Sequence, residues 1–177
     1  MHMYELMTSD ILEVVSYIPY GIGVSFVFVL CMALYQYVHE KRIQLDRLFL
    51  LGTMIVYFVV LLQTAFFSRE PGSRAGEIDW RILPNWQNDI LVRVYALENI
   101  IMFLPFGVLG PLMGKVMRRV YFCIPLAMLL SVVIEAAQLI TERGFCQLED
   151  LIMNTIGAVI GYCIWAVIQY SSRWKRG

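Results

Sequence analysis

Five long apolar stretches, separated by polar links, dominate the pattern of hydrophobic and polar residues along this chain. Each stretch has about the 17–25 residues that a helix needs to cross the hydrocarbon core of a bilayer. The pattern therefore predicts an all-α integral membrane protein, a bundle of five transmembrane helices. The predicted spans are Tyr17–Val38, Leu48–Phe67, Ile100–Met117, Tyr121–Thr141 and Leu151–Tyr170.

The third stretch is the weakest of the five, because prolines and glycines interrupt it. Pro105 and Pro111 each remove one hydrogen bond of the helix, so that a kink is the expected result. A broken helix beside a cavity is the alternative. A third segment that re-enters the membrane without crossing it would also invert the topology of the two spans that follow.

Composition supports a membrane protein and excludes several functions. Hydrophobic residues make up 59% of the 177 residues and charged residues only 16%, whereas about 25% of a soluble domain is charged. The formal net charge of zero argues against nucleic-acid binding. The four cysteines have neither Cys-x-x-Cys nor Cys/His spacing, so that we expect no metal and no cofactor.

Basic residues predict the orientation of the bundle, because cytoplasmic links carry an excess of Lys and Arg. One side holds nine of them, against five on the other side. We therefore expect the N-terminus outside and the C-terminus in the cytoplasm. The nine are Lys41, Arg42, Arg47, Lys115, Arg118, Arg119, Arg173, Lys175 and Arg176, and the five are Arg69, Arg74, Arg81, Arg93 and Arg143.

Polar residues inside the predicted spans converge toward the outer side in this topology. Glu135 is the most informative, because a carboxyl group in hydrocarbon costs roughly 2.5–3.5 kcal/mol on insertion scales. Ser131, Glu135 and Gln138 share one helical stripe, and Asp150 and Asn154 share another. We define the polar cluster, the expected binding site, as Arg69, Asn99, Glu135, Gln138, Arg143, Asp150 and Asn154.

The members of the polar cluster also have structural interpretations. Buried Asn and Gln side chains often form hydrogen bonds between membrane helices, and Asp150 is an ordinary acid for a helix start. Arg69 and Arg143 could be solvated or could anchor the protein at the lipid headgroups. Glu135 could be a structural acid that forms a hydrogen bond with its neighbours. Two pairs of small residues four apart favour helix packing within the chain or a homo-oligomer; they are Gly110 with Gly114 and Gly157 with Gly161.

Four pieces of sequence with characteristic spacing occur in order along the chain. N-x-x-x-F-x-P-F-G begins at Asn99, and S-x-x-x-E-x-x-Q begins at Ser131. Arg143 follows, and D-x-x-x-N-T-x-G begins at Asp150. This order resembles the VanZ-like family of bacterial membrane proteins over roughly Leu61–Tyr170. The resemblance implies an N-terminal tail with an added first helix (1–47) and a VanZ-like four-helix membrane domain (48–177).

One departure from the family pattern concerns the link before the fifth span. Relatives often carry an Asp-rich run there, whereas this chain reads Gln147, Leu148, Glu149 and Asp150. The missing charge weighs against a cation-binding role for the link. Asp150 and Asn154 still match the family pattern.

The resemblance implies a multi-pass protein of a bacterial plasma membrane, in a Gram-positive organism. The best-known family member is associated with low-level resistance to teicoplanin and related lipid-bearing glycopeptide antibiotics. We therefore expect a membrane factor without catalytic activity. Its polar cluster would bind a lipid headgroup, a lipid-linked cell-wall precursor or the antibiotic, with Arg69 and Arg143 on an anionic group and Glu135 holding one of them.

Other functions remain open at the level of the sequence. An intramembrane enzyme acting on a lipid or polyprenyl-linked substrate would use Glu135 and Asp150 as acid and base. The sequence lacks His-Glu-x-x-His and Gly-x-Ser-x-Gly motifs, which argues against this chemistry. A small proton-coupled transporter or flippase is a further alternative, although five spans without a repeat are few for alternating access. The last alternative is a purely structural role as a partner subunit.

Overall fold

The computed structural model describes residues 3–72, 78–82, 89–144 and 146–174, and the side chains of residues 8–171 within these ranges. Arg74, Lys175, Arg176 and the side chain of Arg173, which contribute to the predicted orientation, lie outside the described residues. In the described part of the chain, five helices are long and apolar enough to cross a membrane, as predicted. They are α1 (Met3–His39), α2 (Leu45–Leu62), α3 (Ile90–Met113), α4 (Val120–Ile140) and α5 (Leu148–Trp174).

Two helices, α1 and α3, begin well before their predicted starts, and α1 begins at Met3 and not at Tyr17. Helix α3 differs from its predicted bounds at both ends. It begins at Ile90 and not at Ile100, because the Asp89 carboxylate caps its start by accepting the N–H of Leu91 at 2.9 Å. It ends at Met113, where Gly114 takes an extended conformation. The helix runs unbroken through both of its prolines, so that the alternative of a broken helix is wrong.

Two compact units divide the chain, Tyr4–Ser68 and a second that contains Arg69–Gly177. In the first unit, α1 and α2 form an antiparallel hairpin. The Ser25 hydroxyl donates a hydrogen bond to the Gly52 carbonyl at 3.1 Å. A π-helical turn, Gln63–Phe67, extends α2.

In the second unit, α3 and α5 run parallel and in very close contact. A Cβ atom added at Gly157 would overlap the Ile100 carbonyl oxygen, and one at Gly161 would overlap that of Leu104. Small residues let two membrane helices approach to backbone contact. The predicted packing role of this glycine pair is therefore confirmed, and the glycine face is occupied within the chain.

Helix α4 lies antiparallel to α5, and polar contacts join the two. The Asn154 amide donates a hydrogen bond to the Ser131 hydroxyl at 2.8 Å, in a fully buried position. At the opposite end of the unit, the Tyr162 hydroxyl donates to the Arg118 carbonyl at 2.6 Å. These contacts fix the register of the two helices.

Two very short parallel strands, β1 (Ile78–Asp79) and β2 (Cys146–Gln147), join the long link before α3 to the link before α5. Ile78 pairs with Cys146 and Asp79 with Gln147. This pairing was not expected from the sequence. At the end of β1, the carboxylate of Asp79 accepts hydrogen bonds from Arg81, which lower the pKa of this carboxyl to about 2.

Candidate functional site

The polar cluster gathers at one end of the second unit, where α3 and α5 begin and α4 ends. Three backbone elements supply its members. Asn99 comes from α3, Glu135 and Gln138 from the last turns of α4, and Asp150 and Asn154 from the first turns of α5. The list is completed by the two arginines of the links, Arg69 and Arg143.

Glu135 ties the end of α4 to the strand β2. It is only 5% exposed, and its Oε2 accepts the backbone N–H of Gln147 at 3.0 Å. The charges of Asp150 and Arg69 both act on this carboxylate. Glu135 was expected to hold one of the two arginines; its hydrogen bond instead anchors a strand, and Arg69 acts on it through space.

Asp150 is the second buried carboxylate of the cluster. It is 8% exposed, and its Oδ1 accepts a hydrogen bond from the Asn99 amide at 2.8 Å. This bond explains why α3 contributes a polar residue two turns inside its start. Arg69 acts electrostatically on Asp150 as well as on Glu135, so that the positive charge of one guanidinium group acts on two carboxylates.

Arg69 is positioned by the turn that follows α4. The Arg143 side chain donates a hydrogen bond from Nη1 to the Arg69 carbonyl at 2.7 Å. Next to it, a Cβ atom at Gly144 would lie 2.7 Å from Nη1 of Arg69 and 3.5 Å from Oε1 of Gln138. The guanidinium of Arg69 therefore packs against the bare backbone of Gly144, beside the Gln138 amide.

This turn has the hydrogen bonds of a helix-ending Schellman motif. The N–H of Arg143 donates to the Gln138 carbonyl at 2.9 Å, and that of Glu142 to the Leu139 carbonyl at 3.3 Å. Glu142 occupies the left-handed position, with φ 52°, where glycine is usual. The motif reverses the chain sharply, which brings Arg143 and Gly144 back over the end of α4.

A buried polar pair lies one helical turn deeper than the two carboxylates. It consists of Ser131 and Asn154, which are 0% and 2% exposed. Their hydrogen bond leaves Oδ1 of Asn154 buried without a hydrogen-bond partner among the described residues. Polar groups are therefore found not only at the end of the bundle but also one turn into its apolar interior.

Cys146 marks the rim of the site. Its side chain is half-buried in β2, and partial burial together with the charges of Glu135 and Asp150 raises the pKa of the thiol. Among the described residues, no group of three or more His, Cys, Asp and Glu side chains is arranged to hold a metal ion.

Two contributors to this site were not expected from the sequence. Gly144 carried no signal, because its role comes from contact with Arg69, which is distant in the chain. Glu149 is 7% exposed and was treated only as part of the family's acidic run. It is buried beside Asp150 in the first turn of α5, so that this turn brings a further carboxylate to the site.

Comparison with known proteins adds a family. The family model described as VanZ/LLP1 matches residues 26–169. The resemblance was expected to start at about Leu61. The match starts earlier, inside α1. Among curated proteins and among solved structures, no match to this chain is found.

Proposed function

Because the chain belongs to the VanZ/LLP1 family, we propose that it lowers the susceptibility of a bacterium to lipid-bearing glycopeptide antibiotics of the teicoplanin type. It does so by binding or altering a lipid or cell-wall component at the outer leaflet of the plasma membrane. The polar cluster is the binding site, with Arg69, Glu135 and Asp150 as its charged centre.

The observation that carries this proposal is the gathering of charged groups at one end of an otherwise apolar bundle. Glu135 and Asp150 are both more than nine-tenths buried, and burying charge in a membrane protein is expensive. Packing alone does not require two carboxylates and a guanidinium at this position. A polar ligand that reaches the end of the bundle provides a reason for retaining them.

The outer leaflet follows from the distribution of basic residues. The links on the opposite side carry most of the Lys and Arg, and such links remain in the cytoplasm. The end that holds the polar cluster is then the outer one. Lipid headgroups and lipid-linked cell-wall precursors are exposed there to glycopeptides.

The direct test compares bacteria with and without the protein. Expression should raise the minimal inhibitory concentration of teicoplanin more than that of vancomycin, a glycopeptide without the lipid chain. No difference for either antibiotic, with the protein present in the membrane at normal levels, would reject the resistance role.

Point variants connect the resistance to the polar cluster. Glu135→Ala, Arg143→Ala and Asn154→Ala should each lose most of the protection, because each removes a hydrogen bond that shapes the site. Leu129→Ala is the matched control, since Leu129 lies on α4 and is 57% exposed on its apolar surface. Full protection by the three polar variants would show that the cluster serves packing only.

A further inference from the structure

The arginine at the centre of the polar cluster keeps its hydrogen-bonding capacity. Arg69 uses its backbone carbonyl to accept from Arg143. Within the described ranges, its guanidinium donates no hydrogen bond and lies within 4.0 Å of no carboxylate oxygen. A guanidinium group has five N–H donors in a planar fork, which fits the oxygens of a phosphate or carboxylate.

The two carboxylates beside Arg69 are each only half used. Oε2 of Glu135 accepts from Gln147, and Oδ1 of Asp150 accepts from Asn99. Oε1 of Glu135 and Oδ2 of Asp150 accept no hydrogen bond from the described residues. A carboxylate oxygen can accept more than one hydrogen bond. Negatively charged hydrogen-bond acceptors therefore lie near the N–H donors of Arg69.

These uncommitted atoms are within reach of a ligand. The fully buried polar atoms that lack a partner, among the described residues, include Oδ1 of Asn154 but neither the two free carboxylate oxygens nor any nitrogen of Arg69. Each of these atoms therefore retains some exposed surface. The site presents positive donors and negative acceptors side by side at the end of the bundle.

We propose that the polar cluster takes a zwitterionic headgroup in which a phosphate lies against Arg69 and a primary ammonium lies against Glu135 and Asp150. This assignment rests on the proposed function, since it names the class of lipid bound there. A purely anionic headgroup would satisfy Arg69 but face two carboxylates. A headgroup with both charges complements both sets of atoms.

Lipid binding to the purified full-length protein tests the assignment. The protein in maltoside micelles is titrated with phosphatidylethanolamine or with phosphatidylglycerol of the same acyl chains, and bound lipid is counted by native mass spectrometry. Phosphatidylethanolamine should bind at least about tenfold more tightly, because an ammonium–carboxylate contact adds more than one charge-assisted hydrogen bond. Equal or tighter binding of phosphatidylglycerol would overturn the inference.

Variants of the protein test the phosphate contact and the ammonium contact of the headgroup separately. Arg69→Gln should weaken phosphatidylethanolamine binding by about tenfold or more, through loss of the phosphate contact. Glu135→Gln should remove the preference for the ammonium group, while its amide oxygen still accepts the N–H of Gln147 and keeps β2 in place. Leu129→Ala should behave like the unmodified protein. A preference that survives in Glu135→Gln and in Asp150→Asn would overturn the ammonium contact.

Soluble competitors distinguish the headgroup from a simple anion. Phosphoethanolamine should displace bound phosphatidylethanolamine, and inorganic phosphate at the same concentration should not. Displacement by inorganic phosphate to the same extent would reduce the site to an anion site and overturn the proposal.

Failure of this inference can be told apart from failure of the proposed function. Teicoplanin protection that depends on Arg69 without a preference for phosphatidylethanolamine would reject the zwitterionic ligand alone. A clear lipid preference in a protein that gives no protection would reject the resistance role alone.

Discussion

At the scale of single residues, the structure assigns unequal roles to side chains that look equivalent in the sequence. Arg69 and Arg143 were both expected to engage an anionic group. The guanidinium of Arg143 donates a hydrogen bond to the backbone carbonyl of Arg69, so that Arg143 also helps to position Arg69, the residue proposed to contact the ligand. Gly144 contributes by having no side chain where the Arg69 guanidinium lies.

The first prediction concerns Gly144. Gly144→Ala should abolish most of the teicoplanin protection, because the added Cβ would lie 2.7 Å from Nη1 of Arg69 and displace it. The flexible arginine can move away, so that the free energy of unfolding should fall by less than about 1 kcal/mol. Inhibitory concentration and thermal unfolding in detergent measure the two effects.

Gly114→Ala is the control for this prediction. A Cβ atom at Gly114 would meet no heavy atom within 4 Å, and its extended backbone suits alanine. Unchanged protection by Gly144→Ala would mean that the position of Arg69 does not matter for function.

The second prediction concerns Glu142, which has φ 52°. Glu142→Gly should raise the free energy of unfolding by roughly 0.5–1 kcal/mol, because glycine adopts the left-handed region without the Cβ clash. The thermal midpoint should rise by about 1–4 °C at this chain length. Glu142→Ala keeps the clash and should give no gain. A gain of equal size in both variants would point to the glutamate charge, and not to the backbone, as the source of strain.

Charged and amide residues of the cluster were visible in the sequence because each interrupts an apolar stretch or lies beside the end of one. Their meeting at one end could be predicted from helical stripes and from the topology of the links. The hydrogen-bond partners could not, since Glu135 bonds to a backbone N–H and Gly144 acts through a contact distant in the chain. Such partners depend on the fine register of the folded links.

At the scale of elements, hydropathy predicted the five helices but not all of their ends. The first turns of α3 contain Arg93 and Glu98, which made this segment look like part of a loop. It is nevertheless helical, and it contributes buried residues on two sides, Val94 and Ala96 at 1% and 2% exposure. The strands β1 and β2 are two residues long each, too short to give a periodic signal.

The third prediction tests the contact between α3 and α5. Gly157→Ala and Gly161→Ala should each lower the free energy of unfolding by about 1–3 kcal/mol, the usual range for overpacking. The added Cβ atoms would overlap backbone carbonyls of α3, which cannot rotate away as a side chain can. Thermal unfolding in detergent gives the measurement.

Gly23→Ala is the matched control for this contact, because it lies within a helix and its Cβ would meet nothing within 4 Å. It should be neutral or slightly stabilising, since alanine is the better helix former. Alanine at Gly157 with no loss of stability would mean that the two helices separate easily, and the close packing would then not be what fixes the site.

At the scale of the whole molecule, the decisive quantity is the side of the membrane that the polar cluster faces. Hydropathy and helix length do not determine this side, because the pattern of apolar helices is the same in either orientation of the bundle. The basic links predict it, because cytoplasmic links carry an excess of Lys and Arg. Cys146 lies in the link between α4 and α5, at the same end as Glu135 and Asp150, and therefore reports the side.

The fourth prediction is that a membrane-impermeant maleimide added to intact cells labels a variant that retains only Cys146. Partial burial and the two nearby carboxylates raise the pKa of this thiol above its ordinary value of 9.0, which lowers the reactive thiolate fraction at neutral pH. Labelling should therefore be slow at pH 7 and accelerate by about tenfold per pH unit toward pH 9. A variant that retains only Cys163, which lies within the apolar part of α5, should remain unlabelled. Labelling of Cys146 only after the cells are opened would place the polar cluster at the cytoplasmic leaflet, away from extracellular glycopeptides, and the proposed function would fail with it.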